Sequence, residues 1–454
     1  MADGVIGRAG LIMAPVPALP RRRRLAYHGA TASPALRQFI PQEDAPMNHR
    51  DEHDARRRIF LQRAGLGAAA MGAFPLQGLA AGRETLPFGN GERELVTYPG
   101  KRPLLRVTTR PPHLETPFSV FSEGAITPNN AFFVRYHLAN IPKRIDAKAY
   151  RLRVGGHVKQ SLSLSLDELK ALAAPVEVVA VNQCSGNSRG FFEPRVFGAQ
   201  LGNGSMGNAR WVGVPLRAVL EKAGVLPGAK QVAMNGLDTP VLPQTPDFIK
   251  ALNIDLALSA EPIVAWSMNG ADIPFLNGYP IKLIVPGYFG TYWVKHLSEI
   301  VVMDHGFEGF FMSTAYRVPD NECQCVPAGT APTATRPITT LPVRSFITSV
   351  AGGARVPAGK PMQLKGIAFD GGSGIRKVEV SEDGQQWREA ALGKDLGRFS
   401  FREWSFGMTP PRKGEFKLMV RATNVKGEVQ PATAGWNPGG YARNVVETTR
   451  LLAV

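Results

Sequence analysis

An α+β domain followed by a β-sandwich is the architecture this sequence predicts, and three observations carry the prediction. The 454 residues include 48 Gly and 37 Pro, which call for many turns. From about 130 to 326, short apolar runs alternate with polar turns and a few helical stretches. Beyond a Pro/Thr/Ala-rich segment at 327–338 the character changes. Short runs at 347–350, 362–369, 376–381, 387–389, 416–422 and 446–451 follow one another, many separated by Gly, Asp or Pro turns, as in a sandwich.

The elements follow in order. Residues 1–82 read as a leader, and 83–125 as an irregular, Pro-containing lead-in to the first domain, 83–326. Residues 163–172 (Ser-Leu-Ser-Leu-Asp-Glu-Leu-Lys-Ala-Leu) carry helix start signals. Residues 214–224 form a second helical pattern, stopped by Gly224. The run 281–287 is a buried strand ending in a turn at Pro286-Gly287. Residues 327–340 read as a linker and 341–454 as the sandwich domain.

Composition narrows the function classes. With 44% hydrophobic and 20% charged residues the chain is globular rather than disordered. Its net charge is +16. Residues 1–82 hold eleven Arg and six Asp or Glu, a balance of +5, which leaves +11 on the rest. A basic body suits anionic substrates, cofactor phosphates or an acidic partner. No helix-turn-helix, zinc-finger or aromatic RNA-binding signature is present, so no nucleic-acid partner is expected. Three cysteines exclude a disulfide scaffold and a four-cysteine zinc cluster, and no Cys-x-x-Cys-His motif is present to attach a c-type haem. Cys323-Gln324-Cys325 reads as a loop detail or a strained disulfide.

The leader has the layout of an export signal. Arg57-Arg58-Ile59-Phe60-Leu61 precedes an Ala- and Gly-rich apolar stretch at 64–81 that ends in small residues. Paired arginines followed by Phe-Leu fit the twin-arginine type, which implies a periplasmic destination. The stretch is too short to span a bilayer, so no membrane span is expected. Met47, just ahead of the motif, offers an alternative start.

Cys184 is the most informative residue. The β-branched run Val178-Val179-Ala180-Val181 leads through Asn182-Gln183 to Cys184-Ser185-Gly186-Asn187-Ser188-Arg189-Gly190, so a strand delivers one thiol to a polar turn. A guanidinium five residues on favours a charged, metal-binding thiolate. A lone cysteine of arbitrary setting is more often a buried structural residue.

Three segments together resemble the sulfite oxidase family of molybdenum enzymes, most closely its bacterial periplasmic sulfite dehydrogenases. They are Thr127 to Leu138 (Thr-Pro-Asn-Asn-Ala-Phe-Phe-Val-Arg-Tyr-His-Leu), the cysteine segment continuing to Trp211, and Met268 to Lys295 with Asn277-Gly278-Tyr279-Pro280 and Thr291-Tyr292-Trp293-Val294-Lys295. The resemblance spans roughly 100–454. It implies an α+β molybdopterin-binding domain of the sulfite oxidase type, followed by an immunoglobulin-like β-sandwich for dimerisation. It implies oxidation of sulfite to sulfate at a molybdenum–pterin cofactor, with electrons passed to a cytochrome c that is a separate subunit or a soluble acceptor. A homodimer and a heterodimer with a cytochrome subunit both stay open, and no haem is expected in this chain.

The resemblance further makes Cys184 the protein ligand to molybdenum, and soft thiolate suits such a metal. Arg135, His137 and Arg189 fall among the basic groups around the metal, where guanidinium forks suit an oxyanion. Tyr316 matches the active-site tyrosine, able to donate a hydrogen bond or relay a proton. Phe133, Arg135, His137, Asp238, Lys282 and Lys295 fall at positions that hold the cofactor. Two departures stand out. Leu201 occupies the place of a tryptophan found near the substrate in vertebrate relatives. After Trp436-Asn437, where relatives place an arginine, stand Pro438-Gly439-Gly440, with Arg443 the nearest arginine. Rival readings are a periplasmic methionine sulfoxide reductase, a sulfur-oxidation dehydrogenase component, or an exported binding module without metal.

Overall fold

The computed structural model describes residues 82–454. The leader, with Arg57, Arg58 and the apolar stretch, lies outside the described residues. The lead-in is not irregular. Arg83–Thr85, Glu92–Val96, Leu104–Thr108, His113–Glu115 and Val134–Arg135 form a five-stranded antiparallel sheet in sequence order. Strands this short carry too few residues to show an alternation, so only their partners reveal them. The sheet matters for function because His113 pairs with Arg135 and so fixes where that guanidinium starts.

Two further five-stranded sheets build the first domain. One runs Lys250–Asn253, Gln231–Asn235, Glu299–Met303, Leu152–Gly156, Leu162–Leu164, with Glu299–Met303 parallel to Leu152–Gly156. The other runs Ala271–Asp272, Ile263–Met268, Met206–Pro215, Val176–Gln183, and Lys282–Ile284 pairs with Ile263–Met268. Leu216, Val219 and Leu220 of the second helix join the large apolar core between them, with Trp211, Val264, Leu283 and Ile300.

The helices are shorter than the sequence patterns. The first covers Leu166–Lys170; Ser165 and Glu168 satisfy each other's backbone N–H groups in a capping box. Leu162–Leu164 pairs instead with Leu152–Gly156, because a neighbouring strand edge outbids one more helical turn. The second helix covers Leu216–Ala223 and stops at Gly224, whose φ of 70° favours glycine. Of the run 281–287, Lys282–Ile284 forms the strand.

Residues 327–340 are not a free connector throughout: Thr335–Pro337 pairs with Arg317–Pro319, and Thr340 bridges Tyr288. Just before them, Cys323 and Cys325 form a disulfide. The second domain is two sheets. Arg344–Ile347, Met362–Phe369, Arg402–Met408 and Ala391–Leu392 make one. Arg355–Val356, Glu447–Ala453, Gly414–Asn424, Ile375–Ser381 and Arg388–Glu389 make the other. Leu364, Trp404 and Phe406 of the first meet Val378, Val380, Leu418 and Leu451 of the second. Strand Arg402–Met408, absent from the expected runs, buries Trp404, Phe406 and Met408 at every second position.

The domains share a core. Phe121, Val181, Met206, Phe289 and Tyr316 pack with Phe346, Ile367, Phe369 and Phe401 of the sandwich. Among the described residues, no helix is long and apolar enough to cross a membrane.

Candidate active site

Strand Val176–Gln183 pairs along its whole length with Met206–Pro215 and ends one residue before Cys184. The cysteine N–H donates to Ser205 O at 2.9 Å, and its carbonyl accepts from Asn187 N at 3.0 Å. This tight turn presents the thiol to a cleft of about 490 Å³ of atom-free space, counted out to its mouth. Phe133, Arg135, His137, Cys184, Lys282, Lys295 and Tyr316 all line it, from sequence positions 183 residues apart at the extremes. Cys184 is the one free cysteine among the described residues.

The cleft holds positive charge and idle polar atoms that nothing in the chain satisfies. Lys282 is buried between Trp211 and Trp293, its Nζ 5.0 and 5.6 Å from the ring centroids. Burial pushes it well below its ordinary pKa, and Lys295 and Lys101 lower it further. Burial takes Lys295 down to about 8, partly opposed by Asp238. Burial also takes Lys101 to about 7, although its Nζ donates to Asn129 O, Phe132 O and Asn277 Oδ1. Asn182 Oδ1, Ser185 Oγ, Thr291 Oγ1 and His137 Nδ1 are buried in the same lining without a partner. Buried cations and orphaned polar atoms are costly alone. An anionic, many-armed group seated here removes that cost, so these residues fit a pterin phosphate cofactor with one thiolate reaching its metal. No cluster of three or more His, Cys, Asp or Glu suited to a metal occurs among the described residues.

His137 differs from the expectation of a basic group. Its ring lies flat on Phe248, centroids 3.7 Å apart, and meets Phe311 edge-on at 5.6 Å. Burial, then Arg135 and Lys295, hold its pKa well below the ordinary value. It is therefore a neutral imidazole whose Nε2 shares a short hydrogen bond with Tyr316 Oη. Burial likewise raises the Tyr316 phenol, with Arg135 pulling the other way. Tyr316 sits at φ 60°, an uncommon conformation for a side chain of this size. It is held by a stack on Tyr441, centroids 5.4 Å apart, and by Ile338 N, which donates to its carbonyl at 2.9 Å.

Arg189 and Asp238 are not in the cleft lining. Arg189 packs under the cysteine turn, where a Cβ on Gly186 would come within 2.7 Å of its Cζ. Its Nε donates to Gly439 O at 3.0 Å and its guanidinium lies 5.0 Å from the Tyr441 ring centroid. Asp238 is buried and acts on the site as the negative charge nearest Lys295. Leu201 is buried, and its carbonyl accepts from Gly190 N. Arg443 is not free to complete an anion pocket: it pairs with Glu447 at 2.8 Å. Tyr441 stands behind the lining, stacked on Tyr316.

Sequence reasoning missed several lining residues. Asn182 and Thr291 lay inside the motif segments without being singled out. Asn277 stands in the motif Asn277-Gly278-Tyr279-Pro280 without a role of its own. Phe248 carries no sequence signal, and neither does Lys101, which is buried behind the lining on Asn277 Oδ1 and stands beside Arg102 like any surface charge.

A lone thiol at a strand end, in a cleft of buried cations and beside a tyrosine–histidine pair, defines a cofactor-dependent oxidoreductase domain. The comparisons agree. Residues 137–311 match the oxidoreductase molybdopterin binding domain, and residues 335–448 match the Mo-co oxidoreductase dimerisation domain. The chain is 33% identical over 359 residues to sulfite oxidase of Gallus gallus, covering 75% of this chain and 76% of that protein. It is 33% identical over 365 residues to mitochondrial sulfite oxidase of Mus musculus, covering 76% of this chain and 65% of that one. The sulfane dehydrogenase SoxCD from Paracoccus pantotrophus shares the fold, with a TM-score of 0.65 at 23% identity over 84% of this chain and 93% of that one. This chain belongs to the sulfite oxidase family of molybdenum enzymes, and its cofactor is molybdenum–pterin.

Proposed function

We propose that this enzyme oxidises sulfite to sulfate and passes the electrons to a cytochrome c. The carrying observation is the cleft itself: one buried thiol, Arg135, Lys295 beside Asp238, and Lys282 buried with no acidic partner. When bound, molybdenum–pterin supplies two-electron oxygen-atom transfer. The chain's residues do the rest. Cys184 holds the metal. Lys282, Lys295 and Phe133 hold the pterin group, and Asp238 steadies Lys295. Arg135 faces the substrate oxyanion with fixed donors, and Arg189 adds positive potential from beneath the turn. With neutral His137 donating from Nε2 to Tyr316 Oη, the one hydroxyl hydrogen of Tyr316 is left to donate a hydrogen bond to the oxyanion. Phe248 and Phe311 exclude water from the His137 side.

Three further readings belong to the same proposal. The sandwich is immunoglobulin-like and joins two copies of the chain. The leader sends the protein to the periplasm by the twin-arginine route; replacing Arg57 and Arg58 by Lys should leave it in the cytoplasm, as read by fractionation. A second substrate reading, oxidation of another reduced sulfur compound, is favoured by the pairing of Arg443 with Glu447, which leaves the nearest arginine after Trp436-Asn437 already occupied. The deciding experiment is molybdenum analysis of purified protein together with steady-state reduction of cytochrome c by sulfite. Thiosulfate as donor and methionine sulfoxide as acceptor are run in parallel. Metal-free protein, or turnover confined to methionine sulfoxide, would reject the reading.

A further inference from the structure

Arg344 brings a buried charge to the domain boundary that stability alone does not explain. It opens the first strand of the sandwich, Arg344–Ile347, and is fully buried. Its Nη2 donates to Ser188 Oγ at 2.6 Å and to Glu447 Oε1 at 2.7 Å, with Asn203 Oδ1 farther away at 3.4 Å. Its Nε and Nη1 are buried with no partner. Glu447 is shared with Arg443, so one carboxylate serves two guanidiniums. A guanidinium with two idle donors is a poorer core filler than an apolar side chain of similar volume. What the apolar side chain would lose is the contact with Ser188.

Ser188 is the residue between the cysteine turn and Arg189 that needs holding. Its φ is 71°, in the left-handed region, which crowds the Cβ of an L residue. Its N–H donates to Gly202 O at 2.7 Å and its hydroxyl to Asn203 Oδ1 at 2.5 Å. Arg344 supplies the remaining bond to that hydroxyl, from the other domain. A relaxed Ser188 would turn the chain that leads into Arg189, whose guanidinium then loses its seat on Gly186 and Gly439.

We propose that Arg344 is a positioning residue: it locks the left-handed turn at Ser188 and so sets the loop from Cys184 to Arg189, making the sandwich part of the anion site. This rests on the reading of that site as one for sulfite and sulfate.

The test uses the cofactor-loaded protein and three variants: Arg344→Lys, Ser188→Ala and Ser188→Gly. Ala keeps the crowded Cβ and loses the hydroxyl; Gly loses both, and so loses the reason to relax. Three quantities are read: KM against kcat for sulfite, sulfate affinity by calorimetry, and amide hydrogen exchange over 184–191. We expect KM and the sulfate dissociation constant to rise about tenfold in Ser188→Ala, as for loss of a hydrogen bond to a charged group. Arg344→Lys, which lacks the fork, should behave alike and exchange faster over 184–191. Ser188→Gly should fall between Ala and the parent, and kcat should move less than KM in all three. Lowered thermal stability with unchanged sulfate affinity and unchanged exchange over 184–191 overturns the proposal. If Arg344→Lys does not fold, the Ser188 pair decides, and a Gly variant as impaired as Ala overturns it. A parent enzyme that ignores sulfite rejects the substrate reading instead, and the sulfate and exchange measurements still judge the clamp.

Discussion

Trp404 and Trp293 are both buried, in interiors of different chemistry. Trp404 lies among Leu364, Phe406, Val378 and Leu418, between two sheets of apolar side chains. Gly366 leaves room for its ring, since a Cβ there would stand 2.2 Å from Cζ2. Trp293 lines the cleft, with the Lys282 ammonium 5.6 Å from its ring and the orphaned Thr291 hydroxyl two residues before it. The first interior is stabilised by its own burial. The second carries charge and unpaired polar atoms that stabilise nothing until an anion arrives. The sandwich interior therefore serves folding alone, whereas Trp293, which also packs in the large core of the first domain, serves both folding and the cleft.

Cys184→Ser should break the cleft most completely. Oxygen is a poor substitute for thiolate on a soft metal, so sulfite turnover should vanish while thermal unfolding shifts little. Full turnover in this variant would remove the metal assignment. Trp404→Ala attacks the other interior. A large-to-small change there should cost about 3–5 kcal/mol, read from denaturant midpoints. Molybdenum content per folded molecule should stay near the parent value; its loss would show the two interiors to be one.

A pH series sharpens the contrast. In cofactor-free protein, burial holds Lys101 near 7 and Lys295 near 8, against about 10.4 in an unfolded chain. The unfolded state then binds more protons between about pH 7 and 10, so stability should rise with pH across that window, by on the order of a few kcal/mol. Seating the anionic cofactor recharges the lysines and should flatten the rise. Equal slopes for loaded and empty protein would place the lysines outside the cofactor site. The smallest effect is expected of Tyr316→Phe. It removes the bond to His137 Nε2, so stability should fall by about 1 kcal/mol. The kcat/KM for sulfite should fall about tenfold. Parent-like kinetics would remove the hydroxyl from the reaction.

Much of this was legible before folding. The strand-to-turn joint at Cys184 was visible as β-branched residues giving way to Ser, Gly and Asn. The helix stop at Gly224 and the strand Met362–Phe369 were visible too, since each is written in neighbouring residues. Arg402–Met408 is also legible, as apolar residues at every second position. The lead-in sheet was not: Arg83–Thr85 and His113–Glu115 are three residues each, and pairing partners define them.

For the site, the division falls between residue type and environment. The strand-to-turn pattern singled out Cys184, and the family resemblance carried by the motif segments singled out Arg135, Lys282, Lys295 and Tyr316. Whether His137 is charged, whether Arg443 is free, and whether Lys101 is surface or buried depended on burial and on partners up to 176 residues away, as for Lys101 and Asn277. Through the family resemblance, the sequence by itself determined the cofactor class and pointed to the thiol proposed to reach it. Only the tertiary structure decided which neighbours are neutral, which are already paired, and that the sandwich sets Tyr441 against Tyr316 and Arg344 against Ser188. Charge state and hydrogen-bond occupancy are set by what surrounds a group in space, and chain order does not record that.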